Sequence, residues 1–373
     1  MAEKTDLLYS AYIIDGVPQA LSPADMLDGC TAEPPIRPDG DFGTLADEHR
    51  DPAPDGFSFS EKDIPEYASL LPVAKRIVPI PFAGAYTTGK VAQALLDAIW
   101  CSGHFRLGDL TVKADWRWNG KEVSSAAAFY SSVEEACAYI DALGLRISRY
   151  NLTSGAPAVS FKAATVEGEP MDPEDEELIF EDTSRTVNPR ISRRRKCPGE
   201  LQPQAQDWLI YIPFDTCDYR LGGSSLAQAV GASPSVPADV ADSDYFTDCY
   251  EVVRELVEDG IVRAGATVGE GGLMTTLRSM ARQGTGADVC IRDICKARGG
   301  ELPVRVLFAE VPGVVVQIAD IDYDYVDAEL LLQDVVFYPI GHPTPGKPEV
   351  VLSEKTDIPD ILETLLNTKE GED

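Results

Sequence analysis

The chain lacks what several classes of protein require. It has 373 residues, of which 3 are histidines. It contains 32 lysines and arginines and 62 aspartates and glutamates, which gives a formal net charge of −30. Binding to nucleic acids or to anionic membrane surfaces needs a cationic surface, so this balance argues against both partners. No uninterrupted apolar run is long enough to span a bilayer, and the charged start at residues 1–6 is unlike a signal peptide. The sequence predicts a cytoplasmic protein, and solubility is the ordinary interpretation of its acidity.

Paired cysteines and catalytic histidines are also missing. The eight cysteines are scattered, and no two pairs have the spacing of a zinc site. Reduced thiols are the expectation for a cytoplasmic chain. The histidines at positions 49, 104 and 342 match no catalytic constellation, and turn roles are expected for those at 104 and 342.

The length and an ordinary soluble balance of 25% charged and 44% hydrophobic residues predict two domains. We divide the chain into a leader at 1–60, a first domain at 61–206, a second domain at 207–345 and a tail at 346–373 with a short helix. The leader is rich in proline, glycine and aspartate, which indicates a surface arm or a partly disordered segment.

The first domain carries a charged insertion at 164–200. A run of carboxylates at 172–182 precedes four arginines and one lysine at 190–196. One interpretation is a loop whose opposite charges fold back on each other. The alternative is that Arg193, Arg194, Arg195 and Lys196 hold a nucleotide phosphate or an acidic partner.

Hydrophobic periodicity predicts the main elements. Helices are expected at 66–77, 90–100, 131–143 and 250–258, and Gly144 suits the end of the third. Strands are expected at 107–118, 209–212, 304–309 and 314–318. Elements of both kinds in this order indicate an α/β or α+β protein.

Two glycine-containing segments are the most informative feature. Residues 267–273 read TVGEGGL and place a glycine pair at the start of a helix. Bare N–H groups at a helix N-terminus attract anions, and glycine lets a phosphate come close. Residues 307–313 read LFAEVPG and lead into the apolar strand at 314–318. A glycine pair alone is usually an ordinary packing turn, whereas the two segments in this order are more specific.

Three further motifs occur in the same order: VAQALLDAIW at 91–100, DWRW at 115–118 and RLGGSSLAQ at 220–228. Together, the five motifs resemble the aminoimidazole ribonucleotide synthetase superfamily, and within it the second synthetase repeat of phosphoribosylformylglycinamidine synthase. The corresponding family patterns are VAEALTN, NWMW, RLGG, DVSDGGL and LFSE followed by PG. The resemblance covers residues 67 to 365.

The resemblance implies an N-terminal α/β domain that forms half of a barrel, followed by a C-terminal α/β sandwich with a mixed sheet. A half-barrel leaves strand edges unpaired, so a homodimer or a place as a subunit of a purine-synthesis complex is expected. Alternatively, the charged insertion of the same chain could cover the unpaired strand edge in place of a partner.

The resemblance also implies a site for ATP or ADP with magnesium, and the family's charged ligands are altered at several of its positions. Asn151 stands where the family has lysine, Leu152 where it has aspartate, and Arg149 or Tyr150 is a candidate replacement. The implied nucleotide-binding residues are Thr267, Glu270, Gly271, Gly272 and Asn151, and the implied magnesium ligands are Gln93, Asp97 and Glu270.

Two functions remain open at this point. One is an ATP-dependent amidotransferase or ligase of the phosphoribosylformylglycinamidine synthase type. The other is a non-catalytic paralogue that keeps the fold as a scaffold or regulatory subunit, with an eroded metal site. A binding module for another phosphorylated metabolite is a third and weaker hypothesis.

Overall fold

A computed structural model of the chain describes residues 6–52, 58–73, 77–101, 106–165, 195–282 and 284–353. Its helices are α1 Pro23–Cys30, α2 Ile64–Leu70, α3 Ala83–Leu96, α4 Ser125–Ala142, α5 Ser225–Ala229, α6 Ser243–Glu258, α7 Gly272–Met280, α8 Arg292–Ala297, α9 Pro303–Phe308 and α10 Tyr323–Leu332. Its strands are β1 Ala11–Ile14, β2 Val17–Pro18, β3 Thr44–Asp47, β4 Leu110–Trp118, β5 Arg146–Ser154, β6 Ala158–Thr165, β7 Trp208–Pro213, β8 Val262–Val268, β9 Thr285–Val289, β10 Gly313–Ile318, β11 Tyr338–Pro345 and β12 Val350–Leu352.

The described part of the leader is folded. β1 pairs with β2 in antiparallel and with β3 in parallel orientation, and α1 begins at a capping box formed by Ser22 and Asp25. The Asp47 carboxylate accepts hydrogen bonds from the N–H groups of Ser124, Ala126 and Ala127, at the start of α4. The leader therefore supplies a cap for a helix of the first domain, which its composition did not predict.

The first domain is built on a three-stranded sheet in the order β5-β4-β6. β4 runs parallel to β5 and antiparallel to β6. Val112, Ala114, Trp116 and Trp118 alternate along β4 and are buried, in the same hydrophobic core as residues of α3 and α4. The opposite face of the sheet carries exposed polar side chains, as expected for a sheet with one buried face.

The second domain is a six-stranded mixed sheet in the order β12-β9-β11-β7-β10-β8. The β12–β9 pair is parallel, and the other pairs are antiparallel. Every residue of β10 is buried, which explains why this strand is apolar except at Gln317, whose side chain is hydrogen-bonded to Gln202 and Asp207. The predicted fold class, an α/β half-barrel domain followed by a mixed-sheet sandwich, is confirmed.

Some element predictions need correction. The strand predicted at 304–309 is wrong, because these residues belong to α9, where Pro303 occupies the first turn and Val304, Leu307 and Phe308 are buried. A short apolar run does not distinguish a buried helix from a buried strand. The helix predicted at 90–100 is α3, which begins earlier, at Ala83. The predicted tail helix lies outside the described residues, as does most of the charged insertion.

None of the helices in the described ranges has the length and apolar character needed to cross a bilayer. The eight cysteines are free thiols.

Candidate functional site

A cleft of about 400 Å³ lies between α3, β6 and the turn that precedes α7. Four of the predicted site residues line it: Gln93, Asp97, Thr267 and Glu270. Gly271 borders an adjoining cavity of about 200 Å³, and Gly272 is buried. The structure therefore brings the α3 pair and the glycine turn to one place.

Lys90 is the cation of this cleft, and the sequence interpretation did not include it. Its ammonium nitrogen lies 3.3 Å from an oxygen of Glu310, 3.6 Å from an oxygen of Glu270 and 3.2 Å from the side-chain oxygen of Gln93. Burial alone would lower the pKa of Lys90, but Glu310, Tyr86 and Glu270 outweigh it and raise the pKa above its ordinary value. A signal was available, because Lys90 precedes Gln93 by three residues and is on the same helix face.

Glu310 connects Lys90 to two helix starts. One oxygen of its carboxylate accepts hydrogen bonds from the N–H of Gly271 (2.7 Å) and from the N–H of Ser225 (2.8 Å). Those groups lie at the beginning of α7 and of α5 and have no partner within their own helices. We call Lys90, Ser225, Gly271 and Glu310 the Glu310 junction. Its carboxylate occupies the position at the start of α7 where the sequence predicted a phosphate.

The glycine pair also has a packing role. Gly271 and Gly272 have φ of 82° and 68°, in the left-handed region that favours glycine. A Cβ on Gly272 would lie 2.7 Å from the carbonyl oxygen of Leu307 and 2.8 Å from the Cα of Phe308. The two glycine-containing segments noted in the sequence therefore contact each other, and this contact needs a residue without a side chain.

Asp97 is held by a chain of hydrogen bonds. The buried Trp100 indole N–H donates to the Thr267 hydroxyl (2.8 Å), which donates to the Asp97 carboxylate (2.9 Å). Desolvation raises the pKa of Asp97, and the Thr267 hydrogen bond and the charge of Arg195 oppose that shift without cancelling it. Thr267 thus orients Asp97 at the cleft.

The predicted magnesium ligands each have a protein partner. The side-chain amide of Gln93 donates to the Glu310 carbonyl oxygen (3.2 Å), and its oxygen accepts from Lys90. Glu270 pairs with Lys90, and Asp97 accepts from Thr267. Among the described residues, no three histidine, cysteine, aspartate or glutamate side chains form a group that could hold a metal ion. These residues do not fit a preassembled magnesium site, and magnesium binding stays a prediction.

Asn151 does not line the cleft. It lies on β5, and its amide is 3.4 Å from the Asp115 carboxylate of β4, the strand between β5 and β6. The hydroxyl of Tyr150 donates to Asp28 of the leader, so Tyr150 is engaged elsewhere. Arg149 is exposed. A binding role for Asn151 stays a prediction.

The described end of the charged insertion lies beside the cleft. Arg195 donates to the carbonyl oxygens of Gly265 (2.5 Å) and Cys197 (3.1 Å), and its guanidinium lies 5.5 Å from the centre of the Trp100 ring. The ammonium of Lys196 pairs with Glu258. Both cations therefore have protein partners, and the remainder of the basic run, like the acidic run, lies outside the described residues.

The histidines that the structure describes have structural partners. His49 lies 2.7 Å from the Asp15 carboxylate, and His342 lies 2.9 Å from the carbonyl oxygen of Asp207. Neither lines the cleft.

Comparison with known proteins agrees with this architecture. Residues 205–353 match the family described as "AIR synthase related protein, C-terminal domain". The human phosphoribosylformylglycinamidine synthase is 28% identical over 217 residues, which is 58% of this chain and 15% of the human protein. This chain thus corresponds to a small part of its relative.

Two solved structures share the fold. PurLQS from Thermotoga maritima has a TM-score of 0.52 at 12% identity, over 76% of this chain and 41% of that chain. T. maritima PurL complexed with AMPPCP has a TM-score of 0.50 at 13% identity, over 75% of this chain and 40% of that chain. The resemblance to the aminoimidazole ribonucleotide synthetase superfamily, inferred from the sequence motifs, is confirmed.

Proposed function

We propose that the cleft of this chain, which is similar to phosphoribosylformylglycinamidine synthase and to the AIR synthase related family, binds an adenine nucleotide. The observation that carries this proposal is the convergence of Lys90, Asp97, Thr267 and Glu270 around a cavity of about 400 Å³. That volume lies within the usual range for small-molecule sites. Support also comes from the relative with a TM-score of 0.50, which is complexed with AMPPCP, an analogue of ATP.

The chemistry of the cleft favours binding over catalysis. Asp97 is exposed to the cleft and oriented by Thr267, so it can accept a hydrogen bond from a hydroxyl or amino group of a ligand. Lys90 and Gln93 are engaged by protein partners on α3 and at the Glu310 junction. We therefore propose a nucleotide-binding protein of purine biosynthesis whose role is regulatory or architectural. The bound nucleotide needs no preassembled metal site.

The second candidate is a subunit of an ATP-dependent amidotransferase. The 28% identity to the human synthase favours it. In that case magnesium would accompany the nucleotide, held by Asp97, Gln93 and Glu270, and would neutralise its phosphates. The two candidates differ in whether nucleotide binding depends on magnesium.

A thermal-shift and calorimetric titration separates the candidates. The full chain would be titrated with adenosine, ADP and ATP, each with and without magnesium. Stabilisation by ADP or ATP in the absence of magnesium supports the binding protein, and a strict requirement for magnesium supports the enzyme subunit. No stabilisation by any adenine compound would contradict both.

Two cleft variants locate the binding site. Ala94 lines the cleft, so Ala94→Trp should block it, and Asp97→Ala should weaken binding by about tenfold through the loss of one charged hydrogen bond. Asp141→Ala is the matched control, because that carboxylate is 70% exposed and lies outside the cleft. Equal affinities in all three variants would place the nucleotide elsewhere.

The oligomeric state of the chain can also be tested. We propose a homodimer or a subunit of a larger purine-synthesis complex, since the three-stranded sheet of the first domain has edge strands at β5 and β6. Sedimentation of the purified chain at micromolar concentration measures this, and a stable monomer would contradict the homodimer.

A further inference from the structure

Two cysteines meet where the leader packs on the first domain. Cys30 is the last residue of α1, and Cys137 lies on α4. The Cys30 thiol donates to the Cys137 carbonyl oxygen (3.7 Å), and the side chains of the two cysteines are hydrogen-bonded to each other. Both belong to the same hydrophobic core. The fold therefore brings two thiols together that are 107 positions apart along the chain.

The main chain is fixed on both sides of Cys30. The carbonyl oxygen of Gly29 accepts a hydrogen bond from the Arg146 guanidinium (3.0 Å), and Thr31 forms a backbone bridge with Ile147. Arg146 and Ile147 are the first two residues of β5, which follows α4 in the chain. The sulfur of Cys30 is thus held in place beside α4, and the contact does not depend on the packing of the thiols alone.

The two thiols differ in acidity. The hydrogen bond with Cys137 and the Arg146 guanidinium lower the pKa of Cys30, although burial and Asp141 act against them. The same hydrogen bond and burial raise the pKa of Cys137. Because the thiolate is the nucleophile, Cys30 is the attacking residue of the pair and Cys137 is its partner.

The burial of the pair restricts the oxidant. Cys30 and Cys137 are 9% and 6% exposed, so a bulky disulfide cannot approach either sulfur closely. Hydrogen peroxide is only slightly larger than water and oxidises thiolates to sulfenic acids. A peroxide is therefore the class of oxidant that suits this site. Neither cysteine lines the cleft, so the chemistry of the pair is separate from nucleotide binding.

We propose that Cys30 and Cys137 are a peroxide-sensitive thiol pair that closes to a disulfide. The Cys30 thiolate attacks one oxygen of hydrogen peroxide, the O–O bond breaks, and the hydroxide that leaves takes up a proton to become water. The Cys137 sulfur then attacks the sulfenic sulfur of Cys30. The S–S bond forms as the S–O bond breaks, and the oxygen leaves as a second water with the Cys137 proton. Two thiols and one peroxide thus give one disulfide and two waters.

The disulfide joins the leader covalently to the first domain. In the reduced protein this attachment depends on noncovalent contacts, among them the Asp47 carboxylate at the start of α4. A crosslink that closes so long a loop restricts the unfolded chain and favours the folded one. Oxidation therefore fixes the leader on α4, and thiol–disulfide exchange with a reductant releases it.

The test treats the full chain with hydrogen peroxide under native conditions, then with trypsin, and separates the products on a denaturing gel without reductant. Cleavage at the exposed Arg50 separates the part of the leader that contains Cys30 from the rest of the chain. We expect that fragment to stay attached after oxidation and to be released by dithiothreitol. Peptide mass spectrometry should identify the Cys30–Cys137 disulfide, at least about tenfold more abundant than any other pairing.

Three single variants assign the roles. Cys30→Ser and Cys137→Ser should both lose the attached fragment. Cys137→Ser keeps the attacking thiol, so it should accumulate a sulfenic acid at Cys30 that dimedone traps, whereas Cys30→Ser should give no such product at Cys137. The matched control is Cys295→Ser, which removes a half-buried thiol elsewhere and should retain the fragment. Circular dichroism checks that each variant is folded.

Two results would overturn the proposal. One is the absence of the Cys30–Cys137 disulfide from the oxidised unaltered chain. The other is a fragment that stays attached in Cys30→Ser or Cys137→Ser, since a different pair of thiols would then hold it. The urea-unfolded chain provides a further comparison, because its thiols have lost the native contact. Equal abundance of the Cys30–Cys137 pairing in the folded and unfolded chains would also contradict a site built by the fold.

Discussion

The Glu310 junction and a row of three cations on the exposed face of the three-stranded sheet use charge in opposite ways. We call Lys113, Arg149 and Lys162 the basic row. In the junction, a buried carboxylate meets an ammonium and two backbone N–H groups, and the side chains of Lys90 and Glu310 are 12% and 10% exposed. In the basic row, Lys113 of β4 is in register with Arg149 of β5 and with Lys162 of β6, and no described carboxylate forms an ion pair with them. Removal of a charge should therefore destabilise the protein at the junction, whereas at the basic row it should relieve repulsion.

The largest effect expected from this comparison is at Glu310. Glu310→Ala leaves the Lys90 ammonium and the N–H groups of Ser225 and Gly271 without their carboxylate. Breaking a buried ion pair by removing one partner typically costs about 3–5 kcal/mol. We expect a loss of that size in the free energy of unfolding, measured by urea denaturation. Glu310→Gln, which keeps a hydrogen-bond acceptor, should lose less, and a loss below about 1 kcal/mol in the alanine variant would contradict the junction.

The next effect tests whether the junction depends on the glycine turn. Gly272→Ala places a Cβ against the backbone of Leu307 and Phe308 at a φ of 68°, and the strain and overpacking should together cost about 2–4 kcal/mol. Gly269→Ala is the control, because the nearest atom to its Cβ is the Gln93 side-chain oxygen, at 3.7 Å. Similar denaturation midpoints for the two variants would show that the close contact is not required.

A smaller effect of opposite sign is expected at the basic row. Replacing Lys113, Arg149 and Lys162 by glutamine removes their mutual repulsion, but it also makes an acidic protein more acidic. A control variant, Lys62→Gln/Lys121→Gln/Lys347→Gln, removes three exposed lysines elsewhere and carries the second effect alone. We expect the row variant to exceed that control in unfolding free energy by about 0.5–1 kcal/mol at low salt. The difference should vanish at about 1 M salt, and a difference that persists there would not be electrostatic.

The smallest effect concerns the carboxylate of Asp97, which belongs to neither region and lies in the cleft. Desolvation raises its pKa in the folded protein above the ordinary value, despite the opposing effects of Thr267 and Arg195. The folded state therefore binds the proton more tightly, and stability falls as pH rises from the ordinary pKa through the raised one. Asp97→Asn should be slightly more stable than the unaltered chain near pH 7 and equal to it at about pH 3.5. Denaturation midpoints across that range measure this, and a variant less stable at pH 7 would reverse the assignment.

Much of the scaffold could be predicted because its motifs are local. The strand at 314–318 and the glycine-headed helix follow from hydrophobic runs and turn residues, and both are confirmed in β10 and α7. The failure at 304–309 has a physical cause, since an apolar run of six residues suits a buried helix as well as a buried strand. Pro303 at the first turn was the available sign of a helix.

The site was less predictable, because it depends on contacts between distant segments. Glu310 stands in a quoted motif, yet its bonds to Ser225 and Gly271 join residues 85 and 39 positions away along the chain. The basic row could not be predicted from the sequence, for the same reason. Alternation places Lys113 on the exposed face of β4, but only the register of β5 and β6 sets Arg149 and Lys162 beside it.

The chain is anchored at Thr165, the end of β6, and again at Arg195, which forms a backbone bridge with Cys101, and these two anchors bear on how its length can vary. The second anchor is reinforced by the Lys196 N–H, which donates to the Trp100 carbonyl oxygen, so the intervening stretch is held at both ends. With both ends fixed, the entropy of closing such an excursion grows only with the logarithm of its length, and doubling the length costs about 0.6 kcal/mol. Insertions and deletions between the two anchors are therefore among the cheapest changes open to this chain, and the long charged segment stands within that tolerant interval.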